Sequence, residues 1–527
     1  MSESMISAGD VPQERKASMK TWITVMAGLL GAFMAVLNIQ ITNASLLNIE
    51  GGIGTGVDNG AWISTAYLIG EIIVIPLTDY LSRVFSFRRF LLINAVLFLI
   101  FSVACAFAHN LQEMILLRAI QGFTGGVLIP MAFTLNLTKL SNAQRPIGMA
   151  MFAITATFAP AIGPTIGGYL TENYGWQYIF FINLVPGIVM VAVLYATLER
   201  TPMQLSLLRQ GDWGGIAAMA IGLGSLQTVL EEGNKDDWFG SPFIVQLTAV
   251  AVVALALFVW IELTVKNPAV NLRLLTRRNF GLGTLANLLV GFALYGSVFL
   301  LPQYLGQAQG YNSEQIGAVM AWTGLPQLLL IPFVPMLMGR FDVRAIVILG
   351  LSVFGGSFLL NMHMSADYAG DQFWTPNVIR AAGQALVMGP MSSIAMIGIS
   401  RMESAGASGI FNMLRNLGGA FGTALLGTFV TKREQFHSNI IGTPVTQYSE
   451  AVRDRIDTMT NYFMSRGISD PAAAHGQAII ALGQTIRKQA LIMGYSDAFA
   501  VLGVMLMLAA ITILFTRKGQ VAAPGAH

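Results

Sequence analysis

Residues 158–170 read Phe158-Ala159-Pro160-Ala161-Ile162-Gly163-Pro164-Thr165-Ile166-Gly167-Gly168-Tyr169-Leu170. The stretch lies inside an apolar run, yet it holds Pro160, Pro164, Gly163, Gly167 and Gly168. In a water-soluble helix each interior proline costs about 3 kcal/mol, and each glycine about 1 kcal/mol, relative to alanine. A membrane changes that balance. Neighbouring helices satisfy the freed backbone groups, and glycine lets a second helix approach closely. The stretch is then either a kinked packing helix with no other role or a built seam between helices.

Composition places the whole chain in a membrane. Hydrophobic residues make up 54 % of the 527 and charged residues 11 %, against about 25 % charged in soluble domains. A net charge of +3, scattered along the chain, does not point to nucleic acid. Cys105 is the one cysteine, which excludes an intramolecular disulfide. Residues 1–19 are polar and lack the apolar core of a cleavable signal peptide, so the first span is expected from Thr21 onward.

Apolar runs long enough to cross a bilayer, about 20 residues each, predict an all-α protein of fourteen spans. They fall near 21–47, 60–82, 90–108, 113–138, 146–170, 178–198, 213–231, 241–264, 280–305, 314–338, 344–363, 375–399, 405–431 and 496–516. Short connections on one side hold Arg15, Lys16, Lys20, Arg83, Arg88, Arg89, Lys139, Arg145, Arg200, Arg209, Lys266, Arg273, Arg277, Arg278, Arg340, Arg344, Arg401, Arg517 and Lys518. The other side holds Lys235 beside Glu231, Glu232, Asp236 and Asp237. The positive-inside rule therefore puts both termini in the cytoplasm.

One outer connection, residues 432–495, is far longer than an ordinary loop of about 4–6 residues. Val445, Tyr448, Val452, Ile456, Met459 and Phe463 recur three or four apart, an amphipathic helix. A second helix is expected from Asp470 as cap and Pro471 in the first turn. It would present Ile479, Ile480, Leu482 and Ile486 and end near Arg487 and Lys488. A periplasmic helical hairpin is the expectation, with helices lying flat on the interface as the alternative.

Weak internal symmetry points to two bundles. Leu117-Arg118-Ala119 opens the fourth span and Ile379-Arg380-Ala381 the twelfth, with Pro130-Met131 and Pro390-Met391 further along each. The expected division is 1–205 as a six-helix bundle and 206–266 as a two-helix insertion. Residues 267–431 then form helices 9–13 of the second bundle, 432–495 the hairpin, and 496–527 helix 14 with a cytoplasmic tail.

Ionisable residues deep in a span are expensive and mark function by default. Glu71, in Tyr67-Leu-Ile-Gly-Glu71-Ile-Ile-Val-Ile-Pro76, lies midway along the second span. It is either a carboxyl that takes up and releases protons or one permanently paired to a buried arginine. Arg118 is the natural partner, because a guanidinium stays charged and can switch acceptors; the proton role requires that pairing to change with conformation. Arg380 and Arg415 are the counterparts in the second half, Arg415 within the polar patch Phe411-Asn412-Met-Leu-Arg415-Asn416.

Several motifs carry a family resemblance. Gly-Pro-x-x-Gly-Gly at 163–168 resembles the fifth-helix antiporter motif of exporters in the major facilitator superfamily. Arg118, Gln121, Gly122 and Gly125 resemble that family's fourth-helix motif. Val36-Leu37-Asn38-Ile39-Gln40-Ile41-Thr42-Asn43 resembles the first helix of the fourteen-span drug:proton antiporters, where an aspartate stands at the position of Asn38. Asn38 does not titrate, and the proton role shifts to Glu71. Trp176–Gly187 resembles the start of the sixth helix and Asn271–Phe280 the segment entering the ninth. Asp79-Tyr-Leu-Ser-Arg83-Val-Phe-Ser86-Phe-Arg88-Arg89 departs from the family's loop after helix 2, keeping only its basic tail.

The resemblance implies a major facilitator fold of two six-helix bundles plus two extra helices, with no cofactor. It implies proton-coupled export of amphipathic or hydrophobic compounds by alternating access, conferring antibiotic resistance. The setting would be a bacterial inner membrane, as the exporter of a tripartite pump with a periplasmic adaptor and an outer-membrane channel. Proton coupling is then expected at Glu71, Arg118 and Asn38. The substrate cavity is expected from Asn38, Gln40, Asn43, Gln121, Asn287, Tyr295, Trp322, Gln327, Met388, Phe411, Asn412 and Arg415. An exporter of a specific metabolite or siderophore, an uncoupled facilitator, and a transport-dead sensor or scaffold are the alternatives. The five histidines have no metal-ligand spacing, and no Gly-x-x-x-x-Gly-Lys phosphate loop occurs, so neither an enzyme nor an ATP-driven pump is expected.

Overall fold

The computed structural model describes residues 17–518 apart from Gly56, Asn142, Ala143, Asn267, Arg401 and Gln447. The expected contributions of Arg15, Lys16 and Arg401 to the basic side, and the tail beyond Lys518, lie outside the described residues. Among the described residues the chain is helical, without strands. Ten helices are long and apolar enough to cross a membrane, and Val343–Leu359 is a shorter apolar one. Trp62–Phe85, Trp374–Ala395 and Ser404–Gly442 complete the fourteen. Each of these three carries buried polar residues, such as Glu71, Arg380 and Arg415.

Helix starts follow ordinary capping chemistry. The Ser18, Asn110 and Asp212 side chains accept from backbone N–H groups one turn on, and Asn312 with Gln315 forms a reciprocal capping box. These caps satisfy donors that a helix leaves orphaned. Proline locates the interruptions. The fourth span breaks at Val127, three residues before Pro130, and the tenth passes through a 3-10 turn at Ile331–Phe333 around Pro332.

Buried apolar residues fall into two large clusters. One draws on residues 25–198; the other is mostly from 258–513 and also takes Ile72, Ile75, Leu77, Ala150, Ala153 and part of the seventh span. The fifth span, Arg145–Tyr174, stays a single helix of 30 residues despite Pro160 and Pro164. It packs along the first span on one flank and the tenth, Ser313–Leu330, on the other. Gly163 faces Gln40 of the first span, and a Cβ on Gly167 would lie 2.9 Å from the Ile41 carbonyl oxygen. On the other flank the Thr165 hydroxyl donates to the Gly317 carbonyl at 2.9 Å. Pro160, Pro164 and Gly168 are buried in the same helix.

The outer connection differs from the expected hairpin. Asp470 does cap a helix with Pro471 in its first turn, but that helix does not stop near Arg487 and Lys488. It runs unbroken into the last span as Pro471–Leu514, 44 residues, or about 66 Å at 1.5 Å per residue. Gly494 is tolerated, no proline intervenes, and charged side chains outside a bilayer do not end a helix. The thirteenth span likewise continues to Gly442, 39 residues in all. Between them stands Glu450–Ser465, packed on the long last helix. Val452, Ile456, Met459 and Phe463 are half-buried on it, whereas Val445 and Tyr448 precede it.

On the opposite side, Arg277 grips both carboxylate oxygens of Glu403 at 2.6 and 3.0 Å, tying the start of the ninth span to the start of the thirteenth. The Arg277 guanidinium, helped by Ser400, holds the Glu403 carboxyl down to about 2. A carboxyl lowered from 4.5 contributes its stabilisation above that value and loses it as pH falls toward 2. NMR titration of Glu403 should therefore show no inflection through the neutral range and an inflection near 2.

Gly167→Leu tests the seam. Overpacking of this kind typically costs about 1–3 kcal/mol, and here the obstacle is the backbone of the first span. The variant should insert and express but lose transport in vesicles; normal transport would remove the packing role.

Candidate transport cavity

The second span brings Glu71 to the junction between the two apolar clusters. Its side chain is 2 % exposed. Oε1 accepts a hydrogen bond from Nδ2 of Asn416 on the thirteenth span at 2.7 Å, and Oε2 is buried without a partner. Arg415, next to Asn416 in the chain, and Arg118 are the cations whose charge acts on it. A buried carboxyl with an unused oxygen is costly unless the site has work for it.

Above Glu71 and Asn416 lies a cavity of about 470 Å³ walled by the first, second, fifth, seventh, ninth, tenth and thirteenth spans. Its polar lining includes Gln40, Asn43, Ser64, Gln227, Glu231, Tyr295, Gln303 and Thr423; its apolar lining includes Leu68, Ile72, Val298 and Phe299. Below Glu71 the bundles close. Gly409 sits against Ile75 and Pro76, Gly406 against Asp79, and the Phe133 and Phe411 rings are 6.3 Å apart. The cavity thus occupies the halves of the spans that lead to the outer helices.

Arg118 does not pair with Glu71 in this conformation. Its Nη1 donates to Asn38 Oδ1 at 2.5 Å and to Gln121 Oε1 at 2.7 Å, and Nε donates to the Ile63 carbonyl at 3.3 Å. The guanidinium lies 4.3 Å from the centre of the Tyr67 ring, a desolvated cation–π contact. Its sequence counterpart differs: Arg380 lies over the Phe358 ring, and its Nε is buried without a partner.

Of the residues expected in the cavity, Gln40, Asn43 and Tyr295 line it. Asn38 and Gln121 instead hold Arg118 on the far side of the second span. Asn287 donates to the Phe411 carbonyl at 2.7 Å, and Gln327 donates to Gln384 at 2.5 Å, so both amides fasten helices together. Asn412 donates back to Ser408 on its own helix, and Phe411 and Met388 are core. Arg415 is buried beside the cavity, with Nε and Nη2 unpartnered. Trp322 is 42 % exposed and packs on Trp374 at the periphery, where a large aromatic ring suits a membrane-facing surface.

Sequence reasoning missed Gln227, Glu231, Ser64, Gln303 and Thr423, and it did not single out Asn416. Glu231 and Glu232 were expected in an outer loop. They are the last turn of the seventh span, Trp213–Glu232, because glutamate is a good helix former. Asn416 adjoins Arg415 in a patch whose polarity was legible; a helical wheel through Arg415 carries the signal.

Fourteen spans around a largely apolar cavity with a few polar groups and a buried carboxyl define a multi-spanning membrane transporter of the two-bundle type. The sequence profile of the Major Facilitator Superfamily matches residues 28–423, and the chain belongs to that family. The colistin resistance protein EmrB of Acinetobacter baumannii is 33 % identical over 499 residues, covering 95 % of this chain and 97 % of the relative. The multidrug export protein EmrB of Escherichia coli K12 is 34 % identical over 418 residues, 79 % and 81 % of the two chains. Among solved structures, the proton:xylose symporter XylE superposes with a TM-score of 0.57 at 15 % identity, over 93 % of this chain and 94 % of that one, a likeness of fold.

Proposed function

We propose that this chain is a proton-coupled exporter of amphipathic or hydrophobic compounds, moving them out of the cytoplasm by alternating access. The observation that carries the reading is Glu71: a buried carboxyl at the floor of the cavity, bonded across the bundle junction to Asn416 and holding one free oxygen. In this conformation it is neutralised by no direct ion pair among the described residues. The opposite conformation would open the side now closed by Gly409 and Gly406, and Arg118 would then exchange Asn38 for Glu71. Proton binding would switch between the two, since a ligand shifts an equilibrium only through differential affinity for its states. The names of the curated relatives, one a multidrug export protein, support the substrate class.

The reading places the chain in a bacterial inner membrane, both termini cytoplasmic. It divides the chain into a first bundle at 1–205, a two-helix insertion at 206–266, and a second bundle made of 267–431 and the last span from 496 on, with 432–495 as the outer element. The two long helices and Glu450–Ser465 would project into the periplasm and dock an adaptor, and through it an outer-membrane channel. Surface-exposed Ile440, Ile479, Ile480 and Tyr462 on these helices offer the apolar contact such a partner needs.

Two experiments test this. Glu71→Gln should bind substrate with little pH dependence and fail to concentrate it against a gradient in inverted vesicles. Asn38→Asp, which gives Arg118 a charged partner, should keep coupled transport. If Glu71→Gln exports as wild type, an uncoupled facilitator is the better account. For the outer element, replacing 443–470 with a short Gly/Ser connector spares both long helices. Resistance in cells should be lost while dye binding by the purified protein persists; full resistance would remove the docking role.

A further inference from the structure

The two-helix insertion does not merely brace the bundles. Its first helix packs against the second and thirteenth spans and carries Gln227 and Glu231 into the cavity wall. Among the lining residues Glu71 and Glu231 are the charged ones, and both are acids. Neighbouring Glu232 is structurally committed: it accepts from Thr65 at 2.9 Å and pairs with Lys235 at 3.5 Å. Glu231 is left otherwise. Its Oε1 accepts from Gln227 on its own helix at 3.1 Å, and it has no ion pair among the described residues.

We infer that Glu231 is the anionic member of a recognition subsite for organic cations, supplied to the cavity by the insertion helix. A half-buried carboxylate facing an apolar wall attracts a cationic nitrogen far more strongly than it would in water. Phe299 and Tyr295, which line the same cavity, supply aromatic rings beside a bound cation. Two acids in one cavity permit a division of labour. Glu71, bonded across the bundle junction, carries the proton, while Glu231, on a helix outside both bundles, carries selectivity. Glu71 Oε2, buried and unpartnered, shows that the cavity keeps acceptor capacity unspent. The inference rests on the transport reading, but on what is recognised rather than on how transport is driven.

The test is equilibrium binding by the full-length purified protein of ethidium, a cation, and Nile red, an uncharged dye. The readout is the ratio of their dissociation constants. Glu231→Gln should raise the ethidium to Nile red ratio at least tenfold, and Glu231→Asp should return it to within about threefold of wild type. Nile red binding reports that each variant retains a folded cavity. Thr423→Lys, which sets an ammonium in the same cavity, should raise the ratio in the same direction, and it covers the case of a misfolded Gln variant. A ratio unmoved by Glu231→Gln and Thr423→Lys, or moved equally by Gln and Asp, would overturn the inference. If wild-type protein binds neither dye, the transport reading itself falls, and the inference with it.

Discussion

Everything in this molecule turns on one hydrogen bond between two helical bundles, from the Asn416 amide to a Glu71 carboxyl that no salt bridge anchors among the described residues. In a membrane interior such a group is expensive, and the surrounding packing shows how it is held. The second span is locked against the fourth where Gly122 meets the Tyr67 carbonyl. A matching close approach sets Gly291 of the ninth span on the Arg415 backbone of the thirteenth. Each half of the bond therefore sits on a rigid helix pair, and the bond reports the relation between the pairs rather than the state of a loop.

The fifth span supplies the complementary constraint. Its glycines admit the first span at backbone distance, while Thr165 bonds to the tenth. One helix thus packs against the first span on one flank and the tenth on the other, an arrangement suited to guiding a rocking motion. The two prolines do not break it, because its neighbours on both flanks supply the confinement that a soluble helix lacks. The stretch that looked most destabilising in the sequence is a seam.

How much of this was legible beforehand differed by kind of signal. Hydropathy over windows of about 20 residues located the first twelve spans to within a few residues, since partition into lipid is a property of the segment itself. The mid-span carboxyl was equally plain. The cavity was not. Polar residues such as Asn287, Gln327 and Asn412 look alike in sequence whether they line a cavity or bond protein, and here Asn287 and Gln327 bond neighbouring helices while Asn412 bonds its own. The unbroken last helix was misjudged for a related reason: Arg487 and Lys488 mark where lipid ends, and that is not where a helix ends. In the sequence Glu231 closes the seventh span yet counts with the outer charges, because charge is taken for exposure; the helix continues through it.

The central claim is that Glu71 exchanges a proton for substrate. The most direct measurement is proton release when Nile red binds to the purified protein in weakly buffered detergent solution. Binding should acidify the solution by close to one proton per dye, and Glu71→Gln should bind the dye with no release. Absence of any release from the wild type, or an equal release from Glu71→Gln, would contradict the account.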